Sequence, residues 1–295
     1  MNELELETLP PHERILAWNQ LLARSYGLYA GRFGTYFKIA LAPTLAACAF
    51  TYLEPMLGRR LFHLVPVFSA KWVVLSFVIG WTRGAVYWTI STFFFAAVAA
   101  TFSTVQAADT PAITDAFTLP RKRLGSVVSF ALLTWTIFFI GRTLAGFSVT
   151  EILSHMGFDR SYWVLFSGLG LMLVLVAGLL SRFGLAIPEL MCDLSASVGA
   201  AVRNSIKSSE GWGIFFIAFL FKAALLGFCA NWLTNHGLDW IWNQWQLSWT
   251  AYFWIQGIIY VCIAAALESP LFIAFSVLYS ELQARAEKSM GVSPA

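Results

Sequence analysis

Charge is what this chain has least of: Asp, Glu, Lys and Arg make up 12% of its 295 residues, about half the share typical of soluble domains. So little charge cannot clothe a water-exposed surface, which excludes an ordinary soluble enzyme. Cysteine is scarce too. Cys48, Cys192, Cys229 and Cys262 fall in apolar or expected cytoplasmic stretches, so a secreted disulfide framework is excluded and the four read as packing residues. Catalytic signatures are missing as well. There is no G-x-S-x-G, no G-K-[ST] phosphate loop and no H-E-x-x-H, so nothing marks a nucleophile elbow, a nucleotide cradle or a zinc helix. The basic run Arg121-Lys122-Arg123 is short and reads as an orientation signal, not as a nucleic-acid surface. No signal peptide is expected, because the first 14 residues hold Glu3, Glu5, Glu7 and Glu13 and no apolar centre.

What remains is apolar. Hydrophobic residues make up 58%, with 13 Trp and 26 Phe, and the mean hydropathy is +0.69. A bilayer solvates such a chain, with Trp in the headgroup zone and Phe toward the acyl tails. A hydrocarbon core of about 30 Å needs about 20 helical residues. Six stretches serve as spans: 36–57, 84–106, 124–147, 162–185, 212–233 and 250–279. The expected fold is an all-α bundle of six transmembrane helices with amphipathic helices on the cytoplasmic surface. Residues 1–12, acidic and broken by Pro10 and Pro11, read as a disordered lead-in. Residues 13–33 read as a surface helix, with Ile15, Trp18, Leu22, Tyr26 and Tyr29 forming its apolar stripe. The bundle then occupies 34–280, and 281–295 form a polar cytoplasmic tail.

Several local features refine this plan. Pro43 marks a kink in the first span. The run 72–107 is too long for one crossing, so Trp81-Thr82-Arg83-Gly84 reads as a break between an interfacial helix and the second span. Residues 109–123 read as a polar loop with Pro111 and Pro120. Gly168, Gly170 and Gly178 allow close helix approach in the fourth span. Pro188 and Glu189 stop that span at the lipid surface, and 195–209 has the mix of an amphipathic helix. Trp242, Trp245 and Trp249 share one helical face, as an interfacial belt requires.

Lys and Arg set the orientation. With the N-terminus inside, Arg24, Arg32, Arg121, Lys122, Arg123, Arg203 and Lys207 face the inner headgroups, while the outer loops hold Arg59, Arg60, Lys71 and Arg160. Both termini are then cytoplasmic, in a bacterial inner membrane. Three inside loops approach a span through similar residues: Arg32-Phe33-Gly34, Arg123-Leu124-Gly125 and Gly211-Trp212-Gly213. Their last glycines lie 91 and 88 residues apart, which fits three repeated helix-hairpin units as well as it fits a general tendency of hairpin proteins.

Three segments carry a family resemblance: Leu22-Ala-Arg24-Ser-Tyr-Gly-Leu-Tyr29 running to Gly34-Thr-Tyr36, Arg182-Phe-Gly-Leu-Ala-Ile-Pro188 with Asp193 and Arg203 downstream, and Leu278-Tyr279-Ser-Glu281-Leu-Gln-Ala-Arg285. The chain resembles the six-span bacterial proteins that include the membrane domain attached to some glycerophosphoryl diester phosphodiesterases and the YciC-like membrane proteins. Asn204 departs from the Arg-Ser pair expected there, and no phosphodiesterase domain follows. The resemblance therefore implies architecture and not that enzyme's activity.

Charges within spans are functional candidates by default. Lys222 and Glu268 sit at similar depth and are expected to form an intramembrane ion pair, structural or part of a relay. Glu54, Arg83 and Arg142 fall near the outer ends of the first three spans, where snorkelling accounts for them. His63, His155 and His236 are scattered without ligand spacing, so no metal site is expected, nor any cofactor or catalytic set. Two functions fit. The first is a non-enzymatic protein that binds membrane lipids through anionic headgroups and organises the bilayer or partner proteins. The second is a small transporter or lipid-handling carrier with a polar path near Lys222 and Glu268.

Overall fold

The computed structural model describes residues 23–62, 69–105, 113–155, 174–175, 178–179, 181–208, 236–237, 240, 244, 248–263 and 268–289. Every element among them is a helix. After a short helix at 23–31, α1 is Phe33–Phe62, α2 Ala70–Val105, α3 Ile113–Lys122, α4 Leu124–His155, α5 Ala186–Cys192, α6 Val198–Ser208, α7 Trp249–Ile263 and α8 Ser269–Ser289. Three apolar helical stretches are long enough to cross a membrane: Phe33–Phe50, Ala70–Phe102 and Leu124–Leu144. The chain is a membrane protein on that ground. Four hydroxyls within these helices are satisfied at home: Thr44, Ser76, Thr101 and Thr143 each donate to the carbonyl four residues back, which hides their polarity from lipid.

The helix starts have a common chemistry. Ser69, Ser197 and Ser248 each precede a helix and accept from the backbone N–H three residues on, at 3.1, 3.2 and 3.2 Å. An N-terminal amide that the helix itself leaves without a partner is thereby satisfied.

The hub is α2, which packs against α1, α3, α4, α5 and α8. Its 36 residues run unbroken through Trp81-Thr82-Arg83-Gly84, so the expected break between an interfacial helix and a span is corrected. Gly84 does not end the helix; it makes room for the indole of Trp135 on α4, whose ring lies where a β-carbon would stand. Trp135 Nε1 also donates to the Trp81 carbonyl, at 2.9 Å. On its other half, α2 presents Ala96, Ala97, Val98, Ala99 and Ala100, all buried, and these small side chains let five helices close around it. Among the described residues, a β-carbon at Gly178 would meet nothing within 4 Å. Gly168 and Gly170 lie outside the described residues.

Two more expectations change, and two more segments gain detail. Residues 113–122 form α3, not a loop; Phe117 stacks on Phe93 of α2 with ring centroids 6.0 Å apart, and Ala116 is buried. Pro188 and Glu189 follow a turn at 184–185. They lie in α5, buried from Ala186 to Met191. Pro188 is the third residue of that helix, where its missing N–H costs no hydrogen bond. The polar tail expected from 281 on begins as helix, with α8 continuing to Ser289. Finally, Cys192 and Cys262 are exposed thiols, not packing residues, while Cys48 is half-buried and meets Gly257 of α7. Cys229 lies outside the described residues.

Two core clusters result. One joins Tyr36 and Ile39 of α1, Phe94 to Ala100 of α2, Val127 and Phe130 of α4, α5, and Ile273, Phe275 and Val277 of α8. The other is aromatic, with Trp135, Phe138 and Phe139 of α4 against Ala85, Trp81 and Trp88 of α2.

Candidate functional site

A cavity of about 210 Å³ is lined by residues of α2, α4, the 179–184 stretch and the start of α8. Its wall is mostly apolar, with Trp88 and Phe95 of α2, Phe130 of α4, Phe183, and Leu271 and Phe272 of α8. Four polar side chains border it: Ser91, Thr92, Thr134 and Glu268. They share a depth. Thr134 lies ten residues into α4, Glu268 twelve before Ser280 and Thr92 thirteen before Val105, about 15–20 Å along each helix from the ends that gather round α5.

The local build explains why Glu268 opens into this space. Pro270 has no N–H for the preceding turn, and the backbone widens to a π turn at Glu268, a distortion common at functional sites. The Glu268 side chain is exposed. Among the described residues, nothing ion-pairs or hydrogen-bonds with it. Lys222, its expected partner, lies outside the described residues. The other polar groups are committed. Thr92 donates to the Trp88 carbonyl at 2.7 Å, Thr134 to the Phe130 carbonyl at 2.9 Å, and Trp88 Nε1 to the Thr134 hydroxyl at 2.8 Å. Phe95 and Phe272 stack with centroids 4.5 Å apart, which stiffens the wall on the α8 side.

A second polar cluster sits where α3 hands over to α4. Arg123 occupies the turn between them, and its guanidinium reaches the far end of α5: Nη1 donates to the carbonyls of Leu190 and Asp193 at 2.6 and 2.7 Å, and Nη2 to that of Ala196 at 2.6 Å. A planar cation with a fixed fork suits three carbonyls gathered at the end of α5 and in the turn after it, one of which, that of Asp193, also accepts from the Ala196 amide at 3.2 Å. Asp193 closes the turn by accepting from the Ser195 amide and hydroxyl at 2.8 and 2.7 Å, which holds its carboxyl below the ordinary range. Glu189, buried in α5, accepts from Asn204 Nδ2 of α6 at 2.7 Å. Burial raises its carboxyl, partly offset by the Asn204 hydrogen bond. Ser205 donates to the Arg182 carbonyl at 2.7 Å, so two bonds pin α6 to the 181–192 segment. Asn204, the departure from the family pattern, is one of the two donors.

The other expected sites are spread out. Arg24, Arg121, Lys122, Arg203 and Lys207 are exposed and Arg32 is half-buried. Arg123 stands apart from that headgroup-facing set, because its donors are directed at the chain's own carbonyls. Arg83 and Arg142 are exposed on α2 and α4. The side chain of Glu54 lies outside the described residues, as do residues 13–22 of the surface helix, His63, Trp242 and Trp245. No group of three metal-ligating side chains occurs among the described residues. The hydroxyls of Ser91, Thr92 and Thr134 carried no signal in the sequence, since Ser and Thr are unremarkable in apolar helices and the cavity joins residues 46 apart, as in the Trp88 to Thr134 bond.

No protein family, curated protein or solved structure matches the chain.

Proposed function

We propose that this protein is a six-span, non-enzymatic membrane protein of a bacterial inner membrane that handles a lipid-like amphiphile in the cavity at Glu268. The observation that carries the reading is the cavity itself: apolar walls for a hydrocarbon body, four polar side chains among them and a position at mid-depth of the helices. The remaining three spans belong to the residues expected from the sequence at 162–185, 212–233 and 250–279, with both termini cytoplasmic. Three repeated helix-hairpin units fit the two places where a short helix turns at an arginine into a long one, at Arg32 before α1 and Arg123 before α4. The likeness to the membrane domain of the phosphodiesterase family is part of the same proposal and concerns architecture alone.

A diazirine-bearing hexanol tests the reading in protein held in lipid nanodiscs. Label should concentrate on α2, α4 and α8 beside the cavity and fall at least fivefold in Ser91→Phe, which fills the space. Label spread evenly over the lipid-facing helices, with Ser91→Phe unchanged, would rule the cavity out as a binding site. A second reading, a membrane-organising protein that binds anionic headgroups, is favoured by the exposed Arg121, Lys122, Arg203 and Lys207. Loss of anionic-lipid retention on neutralising Arg121 and Lys122, with no cavity labelling, would promote it.

A further inference from the structure

The polar groups of the cavity can be sorted by what they have left to give. Thr92 and Thr134 have used their only hydrogens on their own helices, and the Trp88 N–H is held by Thr134, so these three have no donor for a ligand. Thr92 keeps an acceptor lone pair and Glu268 keeps a whole carboxylate. Ser91, with no hydrogen bond among the described residues, can turn either way. Among the described residues the cavity is thus a set of acceptors with one adaptable hydroxyl. An anion would find almost nothing to bind it. A carboxylate at mid-depth of a membrane-spanning helix is costly to keep ionised without a cation, and aromatic rings border the same space.

We propose that the cavity takes an organic cation: a primary ammonium on a small apolar body, with the ammonium between Glu268 and Thr92 and the body among the rings. This rests on the reading of the cavity as an amphiphile site and names its substrate class. An ammonium has three donors and no acceptor, the complement of what the walls offer. Size agrees. An apolar cavity of about 150 Å³ holds benzene, so 210 Å³ has room for a ring or short chain with one polar head. A free amine fits better than an aminophospholipid, whose phosphate would need donors that the walls do not supply.

The test uses the same labelled protein in nanodiscs. Unlabelled hexylammonium, hexanol and hexanesulfonate compete with the hexanol photoprobe, and phosphatidylethanolamine replaces phosphatidylcholine in a further arm. Hexylammonium should compete at least tenfold better than hexanol, and hexanesulfonate worse than either. Glu268→Gln should erase the preference for hexylammonium while leaving hexanol unchanged. Thr92→Val, isosteric with the wild type, should reduce the preference severalfold and serves if Glu268→Gln does not fold. Equal competition by amine and alcohol would overturn the cation while leaving the amphiphile cavity standing; a Lys222 already paired with Glu268 would give that result. Competition by phosphatidylethanolamine matching the amine would overturn the free-amine class. Absence of cavity labelling by the hexanol probe would bring down both readings.

Discussion

Gly84 shows how far one residue's role depends on a partner 51 positions away. A helix break is the natural reading of a glycine beside an arginine in an overlong apolar run, yet its use is to admit Trp135. Gly84→Ala should therefore lower stability by about 1–3 kcal/mol or more, the cost of overpacking a rigid ring. In a Trp135→Ala background the same change should cost nearly nothing. Thermal unfolding of the four proteins in detergent gives this cycle, and additive effects would refute the contact. The charged residues were legible one at a time, because a charge in an apolar segment is expensive wherever its neighbours are. Which cation of the run Arg121-Lys122-Arg123 turns inward was not. That choice depends on the three carbonyls of Leu190, Asp193 and Ala196, whose position the run itself does not encode.

At the scale of elements, α1, α4 and α6 were legible from apolar length and amphipathic pattern, and α2 only as a long apolar run whose expected break is absent. Two of the proline-bearing segments, α3 and α5, were not. Proline reads as punctuation, but near a helix start or in a helix held by tertiary packing it is tolerated, and both segments are held against α2. The contact of α5 with α6 has a pH dependence. Burial lifts Glu189 above its ordinary value of 4.5, so the folded chain holds that proton more tightly than the unfolded chain. The contribution of α5 to stability is then whole below about pH 4.5 and declines as pH rises through the raised value. Asp193 and Tyr279 are the titratable groups around it. Glu189→Gln keeps an acceptor for Asn204 and carries no charge. It should match the wild type at about pH 4 and exceed it in Tm at about pH 8. A Tm difference independent of pH would show that the carboxyl is not what titrates.

For the whole molecule, composition alone identified the solvent, and the fold then had to keep its polar clusters at two separate depths. The Arg123 turn and α6 gather at one end of α2, α4 and α8, and the Glu268 cavity lies about 15–20 Å along those helices from it. Arg121, Lys122, Arg203 and Lys207 are all exposed around that same end, which the proposed orientation makes the cytoplasmic one. Cys192 offers a direct test, because it is an exposed free thiol at the end of α5, beside the turn that Arg123 holds. With Cys48, Cys229 and Cys262 changed to serine, a membrane-impermeant maleimide should label Cys192 in inverted vesicles and not in sealed right-side-out ones. Arg121→Cys in a background without other cysteines should behave the same way, since both residues belong to one end of the bundle. Labelling of both from outside would invert the protein and place its cations against the positive-inside rule. Labelling of the two from opposite sides would separate α5 from the α3–α4 turn and contradict the three hydrogen bonds of Arg123.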